Sequence, residues 1–330
     1  PKPAGLENFD GPVDFIIWTT TPWTIPSDQA VSLKPGAAYV AVEHEGRAEV
    51  MLEDLAPKCC EEFGWEYTPV MVDGKPYVVP AETFHHIHYK QPIFDGVEGV
   101  ALLADYVGVD DGTGIVHNSP GHGVDDYFAC LKEGITDICM PVDDDGKFYT
   151  GEEFGTGGPF SGMDTDEANP HILEFLRERG TLVLEKKITH SYPHCWRCDT
   201  PLIYYARESW YIKETAVKDD LIRNNNTVNW IPESIGSGRF GNWLENIQDW
   251  AISRNRYWGT PLNIWECACG HRECIGSRAE LAEKAGDPKA AEVELHRPYI
   301  DAVTIKCPEC GKDMHRVPEV LDLSLIHISE

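Results

Sequence analysis

The run "FIIWTTTPWTIPSDQAV", Phe15 to Val31, passes from apolar residues into three successive threonines, then Pro22, Trp23, a fourth threonine and Pro26. Threonine is a good β-former and the prolines punctuate a loop, so the segment predicts a strand that ends at Thr19–Thr21. A strand-to-loop break also lets neighbouring hydroxyls and backbone N–H groups face one ligand. Each hydroxyl both donates and accepts, which suits an ester or a positioned water. On this segment alone both readings stand.

Further along, alternating "PGAAYVAVEHEGRAEVML" passes through a turn-like Glu-Gly and predicts a β-hairpin. "GTGIVHNSPGHGVDDYFACLKEG" predicts a strand ending at His117, a glycine-rich loop and a helix with Asp125 and Asp126 in its first turn. Gly121 and Gly123 permit close backbone approach, and His122 sits between them. One aspartate satisfies the helix N-terminus, worth ~0.3–1 kcal/mol; the second is free for a cation such as an ammonium group. "NPHILEFLRERG" predicts a short helix capped by Asn169, with Pro170 at its first position and Gly180 at its stop. Residues 11 to about 190 therefore form a mixed α/β region.

The chain has 330 residues, 42% of them hydrophobic and 10% aromatic, enough for two or three domains with real cores. Its longest apolar runs fall far short of the ~20 residues that span a bilayer, and no secretory signal opens it. Pro1-Lys2-Pro3 reads as the interior of something longer. A cytoplasmic monomer without membrane attachment is the expectation. The charge of −27, from 28 basic and 55 acidic residues, argues against a broad grip on a phosphate backbone.

Of eleven cysteines, Cys59, Cys60, Cys130 and Cys139 are scattered, and the others form close groups after residue 190. Such groups favour a metal over disulfides in a chain of this type. "CACG" (Cys267, Cys269) and "CPECGK" (Cys307, Cys310) resemble two knuckles of a zinc ribbon, with thiolates suited to structural Zn²⁺. The first departs from the usual C-x2-C, so Cys274 is an alternative ligand. Cys195 and Cys198 in "HCWRCDTP" form another half-site, to be completed by His194 or from outside the chain. A capping box, Ser277-x-x-Glu280, opens a helix between the two knuckles. "RFGNWLENIQDWAIS" predicts a helix burying Phe240, Trp243, Leu244 and Ile247, then a strand at 249–253.

"WTTTPWT", "GTGIVHNSPGHGVDDY", "HSYPHCWRCDTPLIY" and "DWAISRNRYWGTPL", in this order, resemble a class I isoleucyl-tRNA synthetase over residues 11–322. Valine and leucine relatives carry a charged residue after the second threonine. The resemblance implies an α/β chain with three parts. These are a mixed α/β editing domain with a β-barrel-like core (1–190), part of a Rossmann-type catalytic domain (191–265) and a zinc-ribbon insertion (266–317). A return segment follows (318–330). The family's His-Ile-Gly-His and Lys-Met-Ser-Lys-Ser loops are absent, so ATP and Mg²⁺ would bind in regions outside this chain. Grip on tRNA would belong mainly to such regions, with the acceptor end visiting the editing pocket. The final "LSLIHISE", 323–330, resembles a translated sequencing adapter, which predicts that native sequence stops near Asp322.

By the same resemblance, Asp126 would hold the α-ammonium of a misattached amino acid. Thr19, Thr20 and Thr21 would hold the ester, terminal ribose or attacking water, and His117 would form a wall admitting valine but not isoleucine. Trp23, Asp28, Gly121, His122, Gly123 and Asp125 would contribute to substrate binding; the family often carries Asn at the position of Asp28. Isoleucine and valine differ by one methylene, worth only ~1–3 kcal/mol in an apolar pocket, a limit established for this enzyme class and adopted from it. A second, hydrolytic sieve acting on tRNA(Ile) charged with valine is the implied activity. Rival readings are a valyl- or leucyl-tRNA synthetase fragment, a free-standing deacylase and a non-catalytic zinc-ribbon module.

Overall fold

The computed structural model describes residues 2–189 and 191–322; the tail at 323–330 lies outside them. Two compact units divide the chain, Pro1–Ala206 and Arg207–Glu330.

In the first unit, β1 (Val13–Phe15), β2 (Ala30–Leu33), β3 (Ala38–His44) and β4 (Arg47–Leu52) build the centre of two sheets. Glu45 and Gly46 both take positive φ, 47° and 77°, the primed turn whose twist suits a two-residue hairpin between β3 and β4. One sheet runs β1, β4, β3 and then the strand Val78–Pro80, with β1 parallel to β4. In the other, β2 lies between the antiparallel strand Ile115–Asn118 and the parallel strand Glu98–Leu103, which pairs with His88–Lys90.

Alternation turns Val31, Leu33, Ala101 and Ile115 of one sheet and Val40, Val42, Val50 and Leu52 of the other into one core. Tyr39 is enclosed there, its hydroxyl donating to the Gly114 carbonyl at 2.6 Å and accepting from Lys34 N at 2.8 Å. The scattered cysteines are buried as small apolar residues; helix α1 (Ala56–Phe63) turns Cys59 and Cys60 into this core. Past β1 the chain crosses between sheets: Ile16 N bonds the Val50 carbonyl and Trp18 N the Ile115 carbonyl. That crossing delivers Thr19–Thr21 to the end of the strand carrying His117.

The segment after the threonines is a buried 3-10 helix, Pro22–Ser27, and not an open loop. Its backbone is fixed by Pro22 at the start, and Trp23 and Ile25 anchor it in a second core with Phe148, Phe160, Ala168 and Ile172. Helix α2 (Val124–Lys132) carries Asp125 and Asp126 in its first turn. Helix α3 spans Thr165–Glu178, so it starts earlier than Asn-Pro predicts. Asp164 is its N-cap, accepting from Glu167 N at 2.8 Å, and Pro170 lies inside the helix. Asn169 instead braces the 3-10 helix, its Oδ1 accepting from Trp23 N at 2.9 Å.

In the second unit, helix Arg239–Glu245 buries Leu244, with Ile247 just beyond it also buried. Phe240 and Trp243 stay exposed and gather with Trp230 in a surface aromatic group. The region 249–253 holds two-residue strands, Trp250–Ala251 and Ser253–Arg254. All strand pairs among the described residues of this unit are antiparallel. Its four-stranded sheet runs Arg272–Cys274, Ile264–Glu266, Asp313–Arg316, Ile305–Lys306, packed on helix Arg278–Ala285. Ser277 Oγ accepts from Glu280 N at 3.1 Å, and Glu280 Oε2 reaches back to Gly276 N at 2.8 Å. The capping box is thus closed one residue further out than its usual form. No helix among the described residues is long and apolar enough to cross a membrane.

Candidate functional site

A pocket of about 230 Å³ opens in the first unit, lined by Trp18, Thr19, Thr20, Thr21, Thr24, Val116, His117, Ser119, His122 and Asp126. The threonines meet His117 because β2, which follows the 3-10 helix, pairs antiparallel with Ile115–Asn118, opposing Val31 to His117. Thr21 N donates to Thr19 Oγ1 at 3.1 Å, and the hydroxyls of Thr21 and Thr24 lie 3.3 Å apart. Thr20 is exposed.

Behind this wall runs a buried polar chain. Thr24 Oγ1 lies 2.9 Å from His117 Nε2, and His117 Nδ1 lies 3.3 Å from Asp28 Oδ1. Asp28 Oδ2 accepts a hydrogen bond from the Tyr89 hydroxyl. With the Nδ1–H donating to Asp28, Nε2 is an acceptor, and the single Thr24 hydroxyl proton is shared between it and the Thr21 carbonyl. The imidazole is thereby held as a rigid wall. Thr24 is buried and its hydroxyl also lies 2.9 Å from the Thr21 carbonyl, so it is an anchoring group and not a free nucleophile.

Asp126 forms the opposite side. Its Oδ2 accepts from Ser119 N at 3.0 Å and its Oδ1 from the Tyr106 hydroxyl at 3.1 Å. Asn118 Nδ2 donates to the same Tyr106 oxygen at 2.7 Å. Burial pushes the Asp126 carboxyl above the usual aspartate range, opposed by the Ser119 N–H, the nearby His117 and the Tyr106 hydrogen bond. A cation entering the pocket would offset that burial. Gly123 makes the arrangement possible, since a Cβ there would stand 2.4 Å from Asp126 Oδ2.

His122 donates from Nδ1 to the Tyr204 carbonyl at 2.9 Å, leaving Nε2 a buried acceptor without a partner among the described residues. Burial lowers its pKa, which keeps the ring neutral near pH 7 and suits that acceptor role. Ala206 N bonds the Gly121 carbonyl at 2.9 Å, so residues 204–206 fasten the glycine loop. Accordingly the first compact unit runs to Ala206, past position 190.

Five of the expected binding residues do not line the pocket, Gly123 beneath Asp126 among them. Trp23 is core, meeting His122 edge-on with ring centroids 4.7 Å apart. Asp28 stands behind His117. Asp125 is exposed on α2. Gly121 lacks a side chain because Cys139 O and Met140 Sδ occupy that space, 2.6 and 2.4 Å from where a Cβ would sit. Thr24, Ser119, Tyr89, Tyr106 and Asn118 join the site without being singled out by sequence. Thr24 and Ser119 belong to quoted motifs, whereas Tyr89 and Tyr106 lie in stretches with no local signal.

In the second unit Cys267, Cys269, Cys307 and Cys310 converge, all four sulfurs within 4.8 Å of one another. The pairs Cys267–Cys310 and Cys269–Cys307 are 3.4 and 3.7 Å apart. A tetrahedron of thiolates with Zn–S of ~2.3 Å has edges of about 3.8 Å, so the set fits zinc. Gly270 and Gly311, at φ 88° and 73°, let each knuckle turn back under its cysteines. Cys274 stands outside the cluster, its Sγ 3.5 Å from Asn263 Nδ2. Among the described residues no third ligand joins Cys195 and Cys198. His194 Nδ1 is turned to the Tyr192 carbonyl at 3.0 Å.

Residues 23–325 match the model of the tRNA synthetases class I (I, L, M and V). The chain is 47% identical to an isoleucine–tRNA ligase of Clostridium novyi over 93% of its own length and 28% of that protein's. It is 44% identical to the Thermus thermophilus isoleucine–tRNA ligase over 98% of its length and 29% of the relative's. It therefore spans under a third of the curated relatives it matches. Among solved structures, GlLeuRS-CP1 overlaps 54% of this chain and 85% of its own with a TM-score of 0.42 and 15% identity, too slight an overlap to carry a conclusion. With the family model spanning nearly the whole chain, the protein belongs to the class I tRNA synthetases of the isoleucine, leucine, methionine and valine group.

Proposed function

We propose that this chain is the proofreading stretch of an isoleucine–tRNA ligase, and that its pocket hydrolyses valine misattached to tRNA(Ile). The observation that carries this reading is one half-buried carboxylate, Asp126, facing a rigid wall of threonine hydroxyls and His117 across a small pocket. At about 230 Å³ it falls below the ~300–1,000 Å³ typical of sites for drug-sized ligands, which suits an aminoacyl group better than a whole nucleotide. Asp126 pairs with the α-ammonium. Thr19, Thr20 and Thr21 hold the ester, the terminal ribose or the attacking water, and His117 limits the side chain to the size of valine.

Neither Ser119 nor Thr24 is free to act as a nucleophile. Ser119 Oγ is engaged with Ser27 Oγ at 2.6 Å, and Thr24 is an anchor. Water attack, aided by positioning and by hydrogen bonds to the developing charge, is the mechanism the residues support. On this reading 191–265 forms part of the catalytic domain, 266–317 is an insertion holding a structural zinc, and isoleucine activation with ATP and Mg²⁺ needs further regions of the full enzyme. In that enzyme, carrying Asp126→Ala, valine charged on tRNA(Ile) should accumulate while isoleucine charging persists. Undiminished clearance of the valyl ester would overturn the assignment.

A further inference from the structure

A second group of ligating side chains lies at the other end of α2 from Asp126. His85 and His86 follow the 3-10 turn Ala81–Thr83, and Glu133 is the C-cap of α2. His86 Nε2 lies 2.9 Å and His85 Nε2 3.6 Å from the same oxygen, Glu133 Oε2. The three ligand atoms fall within 4.8 Å of one another.

Adjacent residues of an extended chain point to opposite sides, so two neighbouring imidazoles facing one carboxylate need a special backbone. His86 supplies it with φ 63°, a left-handed conformation that non-glycine residues adopt seldom. Its N–H is held by the Ala101 carbonyl at 2.8 Å. The two rings consequently lie side by side, centroids 3.8 Å apart. His85 Nε2 is buried and has no hydrogen-bond partner within 3.5 Å among the described residues. Helix α2 presents its partially negative end here, which favours a cation.

We propose that His85, His86 and Glu133 form a binding site for a divalent transition metal. Two imidazole nitrogens and one carboxylate oxygen suit Zn²⁺ and its borderline neighbours Ni²⁺ and Cu²⁺, and not the all-oxygen preference of Ca²⁺ or Mg²⁺. Zinc bonded at ~2.0–2.1 Å in a tetrahedron sets ligand atoms about 3.3 Å apart, between the two His–Glu separations observed. Three protein ligands leave one position to water. Bound metal would fasten the turn at 84–86 to the C-terminal end of α2. The site shares no residue with the four-cysteine cluster or with the Asp126 pocket.

Equilibrium dialysis of the whole chain against buffered Zn²⁺ tests the site, compared with His86→Asn, Glu133→Gln and His88→Ala. Asparagine tolerates the left-handed backbone but removes the imidazole; circular dichroism checks that each variant is folded. The parent chain should bind one zinc more than His86→Asn, and Glu133→Gln should weaken that zinc at least about tenfold. His88→Ala, whose imidazole lies outside the cluster, should bind as the parent does. If His86→Asn unfolds, Glu133→Gln alone carries the comparison. Zinc binding by folded His86→Asn or Glu133→Gln that is indistinguishable from the parent's would overturn the proposal.

Discussion

Asp28 shows how a single buried side chain can matter without touching the pocket. Its carboxylate is 4% exposed and serves both His117 Nδ1 and the Tyr89 hydroxyl. Asp28→Ala strands two buried polar groups, each worth about 1–3 kcal/mol, and urea denaturation should show a loss of that order. Asp28→Asn keeps an acceptor toward His117 and should cost clearly less; equal losses would mean that the chain of hydrogen bonds does not hold the wall. The outer wall is legible in sequence, because Thr19–Thr21, His117 and Asp126 sit in compact motifs. Their supports are not, since Tyr89 and Tyr106 come from separate parts of the chain and reach Asp28 and Asp126 only in the folded unit.

Among the elements, β4 carries an electrostatic tension of its own. Glu49 is buried opposite Asp14 of β1, and Arg47 is shared between them, 2.7 Å from Asp14 and 3.5 Å from Glu49. Burial, then the Asp14 charge, pushes Glu49 up to about 7 against the partial relief of Arg47. The folded state therefore binds the proton more tightly than the unfolded chain. Its contribution to stability is complete below about pH 4.5 and is lost as the pH rises through about 7. Denaturation midpoints at pH 5 and pH 8 should show a smaller fall for Glu49→Gln than for the parent; equal falls would place the titration elsewhere. The hairpin and α2 are readable from turn residues and helix-start charge. Helix α3 defeats its local signal: Asn-Pro is a strong start, yet Ala168, Ile172 and Leu176 gain enough from the second core to carry Pro170 inside.

At the scale of the whole molecule, two units stabilise themselves by different means. Cys267 and Cys307 belong to the core around Trp265 and Met314, so a metal held by the four thiols would act together with packing in the second unit. A strong zinc chelator should lower that unit's thermal midpoint; an unaltered second transition would show that the four thiols need no metal. Fold class and the cysteine pairs are visible in sequence, since alternation, glycine turns and knuckle spacing are local. The extension of the first unit to Ala206 is not, as it rests on backbone bonds from 204–206 to the distant glycine loop. Selective hydrolysis is tested most directly in a single-turnover assay of this chain with tRNA(Ile) charged with valine or with isoleucine. Valine should be released at least about tenfold faster, within the range one methylene can provide, and Asp126→Ala should slow it roughly 100-fold. Equal release of the two amino acids, or valine release untouched by Asp126→Ala, would contradict a valine-selective deacylating pocket.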